Sequence, residues 1–203
     1  MLTKLKQKVQ QMLTAEAKAV HAIGLTPNMM TVLGVVLALL SALGYAEWQN
    51  RPLYLLLAMA LLLLSGFCDA LDGIVARVYA EASVFGGFLD SLLDRYADAA
   101  VYTGIIIGGL CDPTWGLLAI VGSLLVSYSR ARAEAAGIKM ESIGLAERAE
   151  RMIILAVASL VAVFWQPTTV MNASIILLAV LSNLTVLQRS IHVYNKLKKG
   201  GAS

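Results

Sequence analysis

Residues 69–94 read Asp69-Ala-Leu-Asp72-Gly73-Ile-Val-Ala76-Arg77, then eight residues, Gly86, three residues, Asp90, three residues and Asp94. The chain around them has 203 residues, 59% of them hydrophobic and only 14% charged. Asp69 and Asp72 are spaced i,i+3, and Asp90 and Asp94 i,i+4, so on helices each pair shares one face. Carboxylates at the margin of a bilayer are costly and mark function. Four of them converging make an oxygen-rich cage for hard divalent cations such as Mg²⁺.

Working outward, the mean hydropathy of +0.75 excludes an ordinary soluble globular chain. Several apolar runs approach or exceed the roughly 20 residues that cross a bilayer. Six spans are expected at about 29–46, 52–79, 85–110, 113–136, 147–165 and 168–196. Residues 2–21 carry Leu2, Leu5, Val9, Met12 and Leu13 at helical spacing among lysines, which reads as an amphipathic interfacial helix rather than a secretory signal. The segment Leu25-Thr26-Pro27-Asn28 then breaks it. The expected fold is therefore an all-α integral membrane protein, with six transmembrane helices preceded by an amphipathic interfacial N-terminal helix. It forms one domain over 1–203, with the six-helix core at 29–196.

Charge placement orients it. Lys4, Lys6, Lys8 and Lys18 precede the first span, Arg130, Arg132, Lys139, Arg148 and Arg151 lie around the fourth loop, and Lys196, Lys198 and Lys199 close the chain. The turns near 47–51, 112–114 and 166–169 hold a single basic residue, Arg51. The positive-inside rule puts both termini in the cytoplasm, and with them the four aspartates, in a multi-pass protein of the cell membrane. Trp48, Trp115 and Trp165 all fall at the opposite turns, as an interfacial aromatic belt requires. Cys68, Cys111, His21 and His192 have no metal-ligand spacing and read as core or interfacial residues. Nothing points to nucleic acid.

The pattern D-x2-D-G-x2-A-R-x8-G-x3-D-x3-D is matched at every fixed position and resembles the signature of the CDP-alcohol phosphotransferase family. The resemblance implies displacement of CMP from a CDP-linked lipid, with two Mg²⁺ per site (Mn²⁺ as a substitute) about 4 Å apart. It implies Asp69, Asp72 and Asp90 as the main metal ligands. Asp94 is implied as the general base that takes the acceptor's proton, and as a further contact to metal. Gly73, Arg77 and Ser83 would contact the CDP group alongside Asp69, while Ala76 and Gly86 leave room for the nucleotide. Asn28 and Thr31, in Pro-Asn-x-x-Thr, would meet the pyrophosphate. A homodimer is also implied. A structural ion-pair cluster, or the cation path of a divalent-cation transporter, would share the carboxylates but leave Gly73, Ala76, Arg77 and Gly86 unexplained.

The arginines bear on the acceptor. Arg130, Arg148 and Arg189 are expected on the side of the aspartates, where they could surround a second anion. A neutral alcohol needs no such cations, whereas a phosphorylated one does, and guanidinium suits phosphate. These segments resemble the inositol-phosphate-using branch of the family, the phosphatidylinositol and archaetidylinositol phosphate synthases, with Arg130 standing where lysine is common in actinobacterial members. The expected substrates are CDP-diacylglycerol or CDP-archaeol and inositol phosphate. The alternatives are phosphatidylglycerophosphate synthesis and CDP-inositol:inositol-phosphate transfer. Arg132 and Lys139 read as topological charges, Glu147 and Glu150 as partners of nearby arginines, and Arg95 and Asp98 as ion-pair or supporting partners of Asp94. Gly104 and Gly108 form a small-xxx-small pair suited to close helix packing within or between protomers.

Overall fold

Proline and small capping side chains set the helix starts in a computed structural model that describes residues 16–140 and 143–200. Helix α1 covers 16–22. It is followed by α2 (Pro27–Ala46), α3 (Leu53–Val78), α4 (Val84–Ile107), α5 (Pro113–Ala135), α6 (Arg148–Phe164) and α7 (Pro167–Gly200). Thr26 caps α2 by accepting from the Met29 amide at 3.3 Å, with Pro27 in the first turn. Ser83 caps α4 through the Gly86 amide at 2.9 Å, and Asp112 caps α5 through the Thr114 amide at 2.8 Å. No strand occurs among the described residues.

The expected spans match these helices to within a few residues. The third is shorter than expected, because Gly109 takes φ +66° and turns the chain before Leu110. The sixth runs on to Gly200. Of the expected interfacial helix, residues 2–15 lie outside the described residues. Its last turns, at 16–22, bury Ala17 against Met30, Cys68 and Leu71. Three helices, Pro27–Ala46, Leu53–Val78 and Pro167–Lys198, are long and apolar enough to cross a membrane. The other three carry the charges of the site or, in α6, only 17 residues. Outward-facing Leu39, Leu43, Leu57, Leu64, Leu117 and Leu187 are 46%, 60%, 49%, 50%, 59% and 56% exposed, a surface that suits lipid rather than water.

Helix α2 packs on α3 and α4, α5 on α7, and α6 on both α3 and α7. Close approach of α2 and α4 depends on glycine. A methyl group on Gly104 would lie 2.2 Å from the Ala42 carbonyl oxygen, and one on Gly108 2.2 Å from that of Tyr45. The small-residue pair therefore serves packing within the chain. Two polar pairs bridge helices in the core: Tyr45 Oη meets Ser159 Oγ at 2.7 Å, and Ser41 donates to the Ala58 carbonyl at 2.7 Å, whereas the buried Tyr102 and Ser182 hydroxyls have no partner among the described residues. Cys68 and Cys111 are free and buried. Because consecutive long helices reverse direction, the starts of α2, α4 and α6 and the ends of α3, α5 and α7 gather at one end. All the site residues named above belong to that end.

Candidate metal and nucleotide site

The C-terminal half of α3 supplies Asp69 and Asp72, and the N-terminal half of α4 supplies Asp90 and Asp94. Asp69, Asp72 and Asp90 each offer an oxygen, all within 4.8 Å of one another. Asp72 is 6% exposed and accepts a 2.7 Å hydrogen bond from Thr31 Oγ1 on α2. Asp90 Oδ1 is buried and has no hydrogen-bond partner among the described residues. An orphaned carboxylate oxygen beside two other carboxylates fits a hard divalent cation, since such a site needs several oxygen donors and repels itself without one.

Asp94 stands apart from that trio. Its Oδ1 lies 2.7 Å from Arg148 Nη1, and its Oδ2 3.5 Å from Arg95 Nη1. The same Arg148 nitrogen is 2.9 Å from Asp69 Oδ1. It nevertheless makes no aligned hydrogen bond, so these contacts are ionic rather than directional. Arg148 Nε reaches Asp98 Oδ1 at 3.3 Å, and Asp98 Oδ2 receives Arg151 Nη2 at 2.6 Å and Ser123 Oγ at 2.9 Å. Arg95 thus pairs with Asp94 directly, and Asp98 is linked to it through Arg148. Asp98 is recognisable from its i+4 spacing after Asp94, whereas Ser123 carries no sequence signal.

Of the residues assigned to the nucleotide, several lie beside one another at this end of the helices. Gly86 sits between Ser83 and Asn28: a methyl group there would lie 2.9 Å from Ser83 Oγ and 3.0 Å from Asn28 Oδ1. Over Gly73 the nearest such contact is Arg77 Nη1 at 3.5 Å, which leaves the helix backbone approachable. Ala76 is half-buried, while Arg77 is exposed and has no ion-pair partner among the described residues. Thr31, expected at the pyrophosphate, is spent on Asp72.

The chain's residues 24–187 match the family model for CDP-alcohol phosphatidyltransferase. The chain belongs to the CDP-alcohol phosphatidyltransferase family. It is a membrane-associated transferase of that class, acting in phospholipid biosynthesis. It is 40% identical over 200 residues, 98% of this chain and 100% of the relative, to archaetidylinositol phosphate synthase of Pyrococcus horikoshii. It superposes on the crystal structure of Mycobacterium tuberculosis phosphatidylinositol phosphate synthase with CDP-DAG bound, at TM-score 0.77 and 30% identity, covering 91% of this chain and 94% of that one. The same mycobacterial enzyme in complex with manganese and citrate gives TM-score 0.76 at 31% identity, covering 89% and 88%.

The arginines expected to form an acceptor pocket occupy three different settings. Arg148 lies within the carboxylates. Arg130 is exposed and paired along its own helix with Glu134 at 2.8 Å. Arg189 is 2% exposed; it donates to the Ile143 carbonyl at 2.8 Å and to the Val126 carbonyl, with Glu147 3.9 Å from Nη2. A recess of ≈ 20 Å³ borders Ser65, Asp98, Tyr102, Arg148 and Arg151. It has room for about one water molecule and none for a substrate.

Proposed function

We propose that this protein transfers a phosphatidyl-type group from CDP-diacylglycerol or CDP-archaeol to inositol phosphate, releasing CMP. The observation that carries this reading is the division of four signature aspartates into a converging trio and one carboxylate set apart. In the proposed reaction an acceptor hydroxyl oxygen attacks the lipid-linked phosphorus. The phosphorus–oxygen bond to CMP breaks, the bridging oxygen leaves with CMP, and the hydroxyl proton passes to an Asp94 oxygen. Asp69, Asp72 and Asp90 would hold two Mg²⁺, or Mn²⁺ in its place, and Asp94 would add a contact to the metal. Bound metal neutralises pyrophosphate charge and eases departure of the leaving group.

Around that centre, Asn28, Thr31, Gly73, Ala76, Arg77, Ser83 and Gly86 line the nucleotide side, with Arg77 free to face phosphate. Arg148, the exposed Arg130 and Arg189 meet the acceptor's own phosphate, with Arg189 also bracing the Ile143 carbonyl at 2.8 Å. The curated archaeal relative is an inositol phosphate enzyme by name, which supports this acceptor. All six long helices span the cell membrane, with both termini and the site on the cytoplasmic side; the tryptophans at the opposite turns and the basic loops support that orientation. Family resemblance supports a homodimer.

Purified protein supplied with Mg²⁺, either CDP-lipid and inositol phosphate should release CMP and form a lipid that retains the inositol phosphate. Release of CMP with glycerol 3-phosphate but none with inositol phosphate would overturn the acceptor assignment. Mg²⁺ flux without any need for CDP-lipid would overturn the enzyme reading.

A further inference from the structure

Helix α6 reaches the acidic stripe of α4 through two arginine side chains, while its own packing is against α3 and α7. Arg148 bridges Asp69 and Asp94 through one nitrogen and is tethered to Asp98 through another. Asp98 itself is fixed. Two donors, Arg151 Nη2 and Ser123 Oγ, occupy its second oxygen, and Arg151, 3% exposed, is pinned in turn to the Ala146 carbonyl at 3.0 Å.

We infer that Asp98 is a positioning residue for the metal site, setting through Arg148 how strongly a guanidinium competes with a divalent cation for Asp69 and Asp94. The inference rests on the reading of the aspartate trio as metal ligands. Its physical basis is that two cations drawn to the same Asp69 oxygen repel each other, strongly where water is sparse. The ionic, unaligned contacts of Arg148 Nη1 leave the guanidinium's placement to the balance of charges on either side. Asp98 supplies the pull away from the metal ligands. A recess of about one water's size adjoins Arg148 and is also lined by Tyr102, whose buried hydroxyl has no hydrogen-bond partner among the described residues.

Opposite signs follow. Removing the guanidinium frees two carboxylates for metal; removing the Asp98 charge lets Arg148 lean further onto them. An ion pair that merely ties α4 to α6 would alter stability and leave metal affinity alone. The test is calorimetric titration of the purified full-length protein with Mn²⁺ alone, no CDP-lipid present, with melting temperature as a separate readout of folding. Arg148→Met should tighten Mn²⁺ binding about tenfold and Asp98→Asn should weaken it about three- to tenfold. The double variant should bind like Arg148→Met, because Asp98 acts only through the arginine. Shifts of the same sign, or additive shifts in the double variant, overturn the inference. Should Asp98→Asn fail to fold, Ser123→Ala decides: weaker binding is expected, abolished as an effect in the Arg148→Met background, and unchanged affinity overturns the inference. Wild-type protein that binds no Mn²⁺ would instead remove the metal-site reading itself.

Discussion

Thr31 Oγ1 and Asp72 Oδ2 meet at 2.7 Å although they stand 41 residues apart, on α2 and α3. The threonine hydroxyl also lies 3.1 Å from the Pro27 carbonyl, a weaker acceptor than an ionised carboxylate. With Asp72 almost fully buried, this bond holds the carboxylate in place while it offers an oxygen within 4.8 Å of those of Asp69 and Asp90. The proline-led start of α2 thereby joins the aspartate-bearing end of α3.

Replacing Thr31 with valine keeps the shape and removes the donor. Loss of a hydrogen bond to a charged group costs about 1.5–3 kcal/mol. The variant should melt at a lower temperature in EDTA, recover part of the difference when Mg²⁺ is added, and turn over CDP-lipid about tenfold more slowly. Wild-type melting in EDTA would show that the bond contributes nothing.

The separation of Asp94 from the trio divides two otherwise similar substitutions. Asp90→Asn should abolish both Mn²⁺ binding and CMP release, because it removes a converging ligand. Asp94→Asn should abolish CMP release yet leave CMP bound, measured by calorimetry. Normal turnover in Asp94→Asn would remove it as the base.

Much of this arrangement was legible in the residues alone. Pro27, Pro113 and Pro167 mark helix starts by chemistry that needs no partner, and the alternation of basic loops with tryptophan-bearing turns fixes which ends meet. The signature aspartates are local pairs, so their sharing of a face follows from helical spacing. What spacing does not carry is contact between distant segments. Arg148 reads in the sequence as one of three cations for the acceptor's phosphate, and only the fold brings it from the start of α6 between Asp69 and Asp94. Ser123 is one serine in an apolar run until α5 presents it to Asp98. Arg189 reads as a phosphate ligand because it interrupts an apolar helix, but burial against Val126 and Ile143 gives it a bracing task as well.

Gly104 illustrates the same limit and supplies a stability test. Its small-xxx-small spacing with Gly108 is common in membrane helices, and only the fold shows the Ala42 carbonyl against it. Gly104→Ala forces α2 and α4 apart; overpacking of this kind costs about 1–3 kcal/mol and sometimes more. The variant should melt several degrees lower. Gly87→Ala, with nothing within 4 Å of the added methyl, should melt like the wild type. Equal melting of both variants would contradict the close approach.

Arg130 and Arg189 differ in surroundings and should therefore differ in phenotype. Arg130 makes only a solvent-exposed i,i+4 pair with Glu134, worth about 0.3–0.5 kcal/mol. Arg130→Ala should leave melting unchanged while raising the KM for inositol phosphate several-fold, with the KM for CDP-lipid unaffected. Arg189→Ala removes the arginine donor from the Ile143 carbonyl and one of the two side-chain donors, beside Ser129 Oγ, from the Val126 carbonyl, and opens a cavity, so melting should fall along with acceptor affinity. Arg189→Lys retains charge but not the fork that reaches both carbonyls, and should recover little of the loss. An unchanged acceptor KM in Arg130→Ala would detach that residue from the phosphate pocket, and a stable Arg189→Ala protein with only its acceptor KM raised would remove the bracing task from Arg189.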